Sequence, residues 1–394
     1  MQITICGGGN AAHTSAGLLG ARKEHQVNVY ASFGDEAQRW RDGIAAGGGI
    51  TVTSQEGSLV GRPRKVSSDP SEVIPGSQVV LLALPAFAHE YILREIAPYL
   101  EEGALVGALA ARGCFDLCAR DVFKRKADTV TLFGLQTLPW ACRIQQYGQE
   151  VTILGTKAHV DLATCPLDHA QKTASFLGDQ LGISLEPIGN FLSLTLAGTG
   201  QIIHPGVMYG QFHDWDGDTF EEAPLFYQGI DKTTANILQS LSDEIQTLRF
   251  ALERRFPSID LSAVRPLDEW LYLSYADDIV DSSSLQNSFV TNRSYAGLTI
   301  PMRLVDEGLV PDFKARYLSE DVPNALLATR GIAELANIST PMMDKVIVWA
   351  QERLDMEFLI DGKLRGRDVK ASRAPQRYGY QELERTVDAM ICQD

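Results

Sequence analysis

The sequence predicts an α/β domain built on a parallel sheet, followed by a mainly α-helical second domain. Three observations carry this expectation. A β-branched run breaks into glycines and continues as a small-residue helix at residues 2–19, short apolar runs alternate with helical segments through the first half, and strand signals nearly vanish in the second half. At 394 residues the chain is long enough for about two or three domains of ordinary size.

Taken in order, Ile3, Thr4 and Ile5 make residues 2–6 a strand that stops at Gly7, Gly8 and Gly9. Residues 11–19 then suit a helix. A second strand reads at 26–30. After a Gly/Ser-rich stretch a third follows at 78–84, ended by Pro85. Runs at 104–108, 129–132 and 150–154 are expected to extend the same sheet, with helices such as 90–100 as crossovers. A helix at 172–181 and an apolar run at 183–185 close this half, which places the boundary near 187–191. The expected domains are 1–189 and 190–394. Beyond it, Ile237, Leu241, Ile245, Leu248 and Leu252 fall on one face of a helix spanning 233–256. Further helices are expected at 261–279, 324–338 and 342–356, the last with Pro341 in its first turn.

Composition excludes several functions. Hydrophobic residues are 45% and charged residues 22% of the chain, an ordinary globular balance. The formal charge of −15 would repel a phosphate backbone, so no nucleic-acid partner is expected. The longest apolar run, 79–88, is interrupted by Pro85 and falls far short of the roughly 20 residues of a membrane span. No membrane association is expected. The N-terminus lacks the basic and apolar regions of a secretory leader. Six scattered cysteines form no zinc motif or disulfide framework, so reduced thiols in a cytoplasmic protein are expected.

Gly7-Gly8-Gly9-Asn10-Ala11-Ala12 satisfies GxGxxA between a strand and a helix, the Rossmann-type dinucleotide turn. Gly7 permits the tight turn, Gly9 admits the diphosphate to the backbone, and Ala12 allows close helix packing. No acid stands directly after Tyr30; Asp35 and Glu36 follow slightly later, with Arg39 and Arg41 beyond. Asp35 is taken as the ribose acid, with NAD preferred over NADP. Pro85 and Phe87, at the end of the strand 78–84, lie where a nicotinamide would be received. The competing reading makes Phe87 a core residue.

Hydride transfer to a carbonyl or imine carbon needs a proton donor near neutral pH. Of seven histidines, His25, His159 and His169 read as surface residues, and His213 lies in an acidic loop. His204, in an apolar segment between Gly200 and Gly206, is the favoured acid/base, against the alternative of a buried core histidine. Arg316 suits bidentate binding of a carboxylate, and Asp321 suits the orientation of an imidazole. The plainer readings are a surface ion pair for Arg316 and a helix cap for Asp321. Spacing alone cannot bring His204 and Asp321 together.

Several strings resemble the opine dehydrogenase family, particularly its marine invertebrate octopine type. They are Cys6-Gly7-Gly8-Gly9-Asn10, Leu84-Pro85-Ala86-Phe87-Ala88-His89-Glu90, Thr137-Leu138-Pro139-Trp140-Ala141-Cys142-Arg143, the run 222–231, Arg316-Tyr317-Leu318 with Glu320-Asp321, and Pro375-Gln376-Arg377-Tyr378-Gly379. The resemblance spans nearly the whole chain. It implies NADH-dependent condensation of pyruvate with an amino acid, at the end of anaerobic glycolysis in cytosol. It implies His204 as the catalytic histidine, Asp321 as its partner, Arg316 as the keto-acid ligand, Asn10 as part of the cofactor turn, a monomer, and no metal. The ligand crevice is expected between the domains. One departure bears on the substrate: where the arginine-using branch has glutamate before Thr-Leu-Pro-Trp, this chain has Gln136. A neutral amide cannot pair a guanidinium by charge, so a small neutral amine is expected: alanine, glycine, β-alanine or taurine. Two alternatives are a direct keto-acid or sugar-phosphate dehydrogenase and an NADH-binding protein without catalysis.

Overall fold

The computed structural model describes residues 1–392. The chain divides into two compact units, one of residues 1–194 joined by residues 388–392, the other of Thr195–Val387.

The first unit holds twelve strands among the described residues: β1 (Gln2–Cys6), β2 (Gln26–Tyr30), β3 (Ile50–Ser54), β4 (Gly57–Gly61), β5 (Lys65–Ser67), β6 (Val79–Leu82), β7 (Leu105–Ala108), β8 (Thr131–Leu135), β9 (Trp140–Gln146), β10 (Glu150–Thr156), β11 (Val160–Cys165) and β12 (Leu185–Pro187). Its helices are α1 (Asn10–Gly20), α2 (Glu36–Gly47), α3 (Ala86–Ile96), α4 (Phe115–Phe123) and α5 (Ala170–Leu181). The main sheet runs β12-β11-β8-β7-β6-β1-β2-β5. It is parallel except that β11 lies antiparallel to β8 and carries β12 with it. Every residue of β6 is buried, as a strand covered on both faces requires.

One expectation fails here. Residues 150–154 do not extend the main sheet; β10 joins a second sheet, β4-β3-β10-β9. The Gly/Ser-rich stretch supplies its β3–β4 hairpin, and α1 packs tightly against it. A Cβ on Gly17 would stand 2.2 Å from Val52 Cγ2, and one on Gly61 would stand 2.1 Å from the Gly17 carbonyl oxygen. Glycine at both positions is what allows the helix to lie so close.

The helical half starts with α6 (Phe191–Ala197), which spans the division, and continues with α7 (Gly200–Phe212), α8 (Lys232–Arg255), α9 (Leu267–Tyr275), α10 (Leu285–Val290), α11 (Arg316–Ser319), α12 (Leu327–Leu335), α13 (Pro341–Leu354) and α14 (Leu383–Ile391), the last also spanning the division. Two small hairpins interrupt them, β13 (Met302–Val305) with β14 (Gly308–Pro311), and β15 (Leu359–Ile360) with β16 (Lys363–Leu364). The expected face of α8 is buried through Ile237, Leu241, Ile245, Leu248 and Leu252. Asp231 caps its start, accepting the Thr234 N–H at 2.7 Å. The helix expected over 261–279 is shorter, because Pro266 has extended backbone (ψ 147°) and the helix begins only at Leu267.

The cysteine expectation holds for Cys6, Cys114, Cys118 and Cys142, which are buried and not disulfide-bonded, and fails for Cys165 and Cys392. These two are disulfide-bonded with Cα atoms 5.3 Å apart. They are 227 residues apart, so no local motif marks the pair.

Candidate active site

The glycine turn connects β1 to α1. Gly7 has φ +135°, and a Cβ there would meet the Ala83 carbonyl oxygen at 2.6 Å. Gly9, by contrast, faces open space, with nothing within 4 Å of a Cβ placed on it. Gly9, at the N-cap of α1, has no side chain to cap the helix, so that position leaves the first-turn amides uncapped, as a diphosphate site requires. Asn10 spans from the turn to the second sheet, its Oδ1 accepting the Ile144 N–H at 2.9 Å. Ala12 is fully buried.

His13 holds the turn from behind. It is fully buried, its Nδ1 lies 3.0 Å from the Gly9 carbonyl, and its Nε2 accepts the Gly148 N–H at 2.9 Å. The ring stacks on Trp40 with centroids 3.8 Å apart. Burial is the main reason its pKa falls to about 4; the Arg39 charge lowers it further, while the bond to Gly9 opposes the shift.

Asp35 is 76% exposed and lies 3.8 Å from Arg39. The acid against the turn is its neighbour Glu36, whose carboxylate carbon would stand 2.3 Å from a Cβ on Gly8. Burial raises the Glu36 pKa, Arg39 opposes the rise, and Asp35 adds to it. Pro85 stands at the head of α3 in extended conformation, and Phe87 in the first turn of that helix is 61% exposed, so it is not a core residue. Gln136 follows β8, half-buried, its N–H donating to the Asp161 carbonyl at 3.0 Å.

In the second unit the structure brings His204 and Asp321 together across 117 residues. His204 Nδ1 lies 2.7 Å from Asp321 Oδ2. A carboxylate can only accept, so Nδ1 carries the proton, and Nε2 is the ring nitrogen this bond leaves able to exchange one. Asp321 is 2% exposed, while the imidazole keeps 19% exposure. Asp321 precedes a π-helical turn at Val322–Leu326, yet its side chain makes no cap there. His204 itself lies inside α7, just before Pro205.

Arg316 opens α11, one turn before Asp321. Its Nε donates to Glu320, whose carboxylate is 2% exposed although the arginine side chain is 61% exposed. Partial burial opposes the Arg316 charge, but Glu320 and then Asp321 outweigh it and raise its pKa. Tyr317 stacks on the His204 ring at 4.4 Å and 19°, and Phe226 packs edge-on to that ring at 5.9 Å. Burial raises the pKa of nearby Tyr227 above the ordinary phenol range, with Tyr317, Tyr275 and Asp321 adding to it. Sequence reasoning named His204, Arg316 and Asp321 but gave no role to Tyr317, Glu320 or Phe226. The Arg–Glu spacing of four residues was the available signal for Glu320.

Comparison with known proteins decides the family. The chain is 38% identical over 393 residues to octopine dehydrogenase of Pecten maximus, covering 98% of each chain. The chain belongs to the opine dehydrogenase family. It is also 37% identical to an opine dehydrogenase of Haliotis discus hannai (99% of each chain) and 35% identical to tauropine dehydrogenase of Arabella iricolor (97% of this chain, 98% of that one). The family model for the α-helical domain of NAD/NADP octopine/nopaline dehydrogenases matches residues 187–354. A solved structure of octopine dehydrogenase with NADH and L-arginine superimposes with a TM-score of 0.91 at 36% identity, covering 100% of this chain and 98% of that one. This opine dehydrogenase is therefore a nicotinamide-dependent oxidoreductase acting on a CH–NH bond, with NAD(H) as cofactor. No helix among the described residues is long and apolar enough to cross a membrane.

Proposed function

We propose that this enzyme condenses pyruvate with a small neutral amine, alanine, glycine, β-alanine or taurine, and reoxidises NADH at the end of anaerobic glycolysis in cytosol as a monomer. The observation that carries the chemical reading is the 2.7 Å bond from His204 to buried Asp321, beside Tyr317 and the exposed fork of Arg316. In the net reaction the amine nitrogen bonds to the keto carbon and water leaves, giving an imine. NADH supplies the hydride that reduces the imine carbon, and a proton from solvent balances the secondary amine.

The residues of this chain divide that work. The turn at Gly7, Gly9, Asn10 and Ala12 holds the cofactor's diphosphate. Glu36, nearer the turn than Asp35, accepts from a ribose hydroxyl, and Pro85 with Phe87 lines the path of the nicotinamide. Arg316 binds the carboxylate of pyruvate through its outward N–H groups. Asp321 fixes the His204 tautomer, and Nε2 exchanges the proton as the carbonyl oxygen is lost. Tyr317 holds the ring plane by stacking.

The preference for a neutral amine rests on Gln136. A panel of amines at fixed pyruvate and NADH tests it, with Arg316→Ala as a control that raises the KM for pyruvate. A small neutral amine is expected to turn over best, and Gln136→Glu to shift activity toward arginine. Arginine as the best substrate of the unaltered enzyme would overturn the preference. NADH oxidation by pyruvate without any amine would favour a direct keto-acid dehydrogenase.

A further inference from the structure

We infer that Glu320 is the positioning residue of the keto-acid site: it grips the Nε edge of Arg316 from a buried position and so presents the opposite edge of the guanidinium to the substrate carboxylate. The inference rests on the reading of Arg316 as the keto-acid ligand.

Arg316 and Glu320 form an ion pair four residues apart, a spacing that on an exposed helix face is worth little and needs no burial. Here the arginine side chain is 61% exposed while the glutamate is 2% exposed. Taking a carboxylate out of water is unfavourable, so the arrangement serves poorly as a stabilising surface pair. It serves well as a clamp. The backbone at Glu320 is held on both sides, its N–H donating to the Arg316 carbonyl at 3.1 Å and its carbonyl accepting the Asn324 side-chain amide at 3.0 Å. The long arginine side chain, which would otherwise sample many rotamers, is fixed at Nε by an immobile partner.

The bond to Glu320 uses Nε, so in this 61% exposed side chain the Nη1–Nη2 edge is the one that can receive a carboxylate in two parallel hydrogen bonds. The next residue, Asp321, performs the parallel task for His204. Adjacent buried carboxylates thus orient the substrate-binding cation and the proton-transfer imidazole separately. Glu320 affects binding of the keto acid, Asp321 affects chemistry.

The test separates these roles. Glu320→Gln keeps the size but loses the charge-assisted bond, so the KM for pyruvate should rise about tenfold while the KM for the amine and the pH profile of kcat stay as in the unaltered enzyme. Calorimetric titration of pyruvate into the NADH-bound protein should show the same loss of affinity. It reads the clamp even if no amine is turned over, so a failure of the reaction assignment is distinguishable from a failure of the clamp. Glu320→Asp, which retains the charge but is one methylene too short to reach Nε, should also weaken pyruvate binding and provides the readout if the glutamine variant does not fold. Unchanged pyruvate affinity in either folded variant, or an equal rise in KM for pyruvate and amine, would overturn the inference.

Discussion

Acid should weaken the first unit through one residue, His13. Its folded pKa of about 4 lies below the 6.5 of an ordinary imidazole because the ring is fully buried. Between pH 6.5 and 4 the unfolded chain binds a proton that the folded chain refuses, so stability falls as pH falls through that window and levels off below it. At about 1.4 kcal/mol per tenfold change in proton affinity, the gap amounts to about 3 kcal/mol. Protonation at Nε2 also removes the acceptor for the Gly148 N–H and leaves two donors facing each other. The assay is chemical denaturation at a series of pH values for the unaltered protein and for His13→Gln. The variant should be less stable at pH 7, having lost the stack on Trp40, but the difference between the two proteins should shrink by about 3 kcal/mol from pH 7 to pH 4. A difference that stays constant across that range, or an imidazole resonance that titrates near 6.5 in the folded protein, would refute the reasoning.

Two further outcomes follow from the geometry. Gly9→Val should fold normally, because its Cβ meets nothing of the protein within 4 Å, yet lose NADH binding in a fluorescence titration by filling the diphosphate's space. Asp321→Asn should lower kcat by about 100-fold or more with little change in the KM for pyruvate, since an amide can donate to Nδ1 and so stabilise the wrong tautomer; steady-state kinetics would show it.

The parts of the fold that were legible in the sequence are those set by local forces. The strand at 2–6, the turn and α1 followed from β-branched residues meeting three glycines, and α8 from a regular apolar face. The second sheet was not legible as a sheet, because β3 finds its parallel partner in β10, about a hundred residues later, and no local pattern carries that pairing. The shortening of the helix expected over 261–279 was in principle readable from Pro266. At the site, the residue types of His204, Arg316 and Asp321 suggested roles, and the family resemblance joined them. Their meeting depends on α7 packing beside the turn of α11, which spacing does not encode. Glu36 shows the same limit, since only side-chain direction separates it from Asp35, whereas Glu320 carried one local signal, its four-residue spacing from Arg316.

The Cys165–Cys392 bond changes the covalent graph of the molecule. The polypeptide becomes a lariat whose ring encloses every residue of the helical unit, while the strand-rich portion before residue 165 forms the tail. Even fully denatured, such a chain cannot straighten: its ring of more than two hundred residues restricts the disordered ensemble, by about 5 kcal/mol in the chain-entropy picture. Oxidised and reduced molecules therefore start folding from different ensembles, though their folded coordinates can be the same.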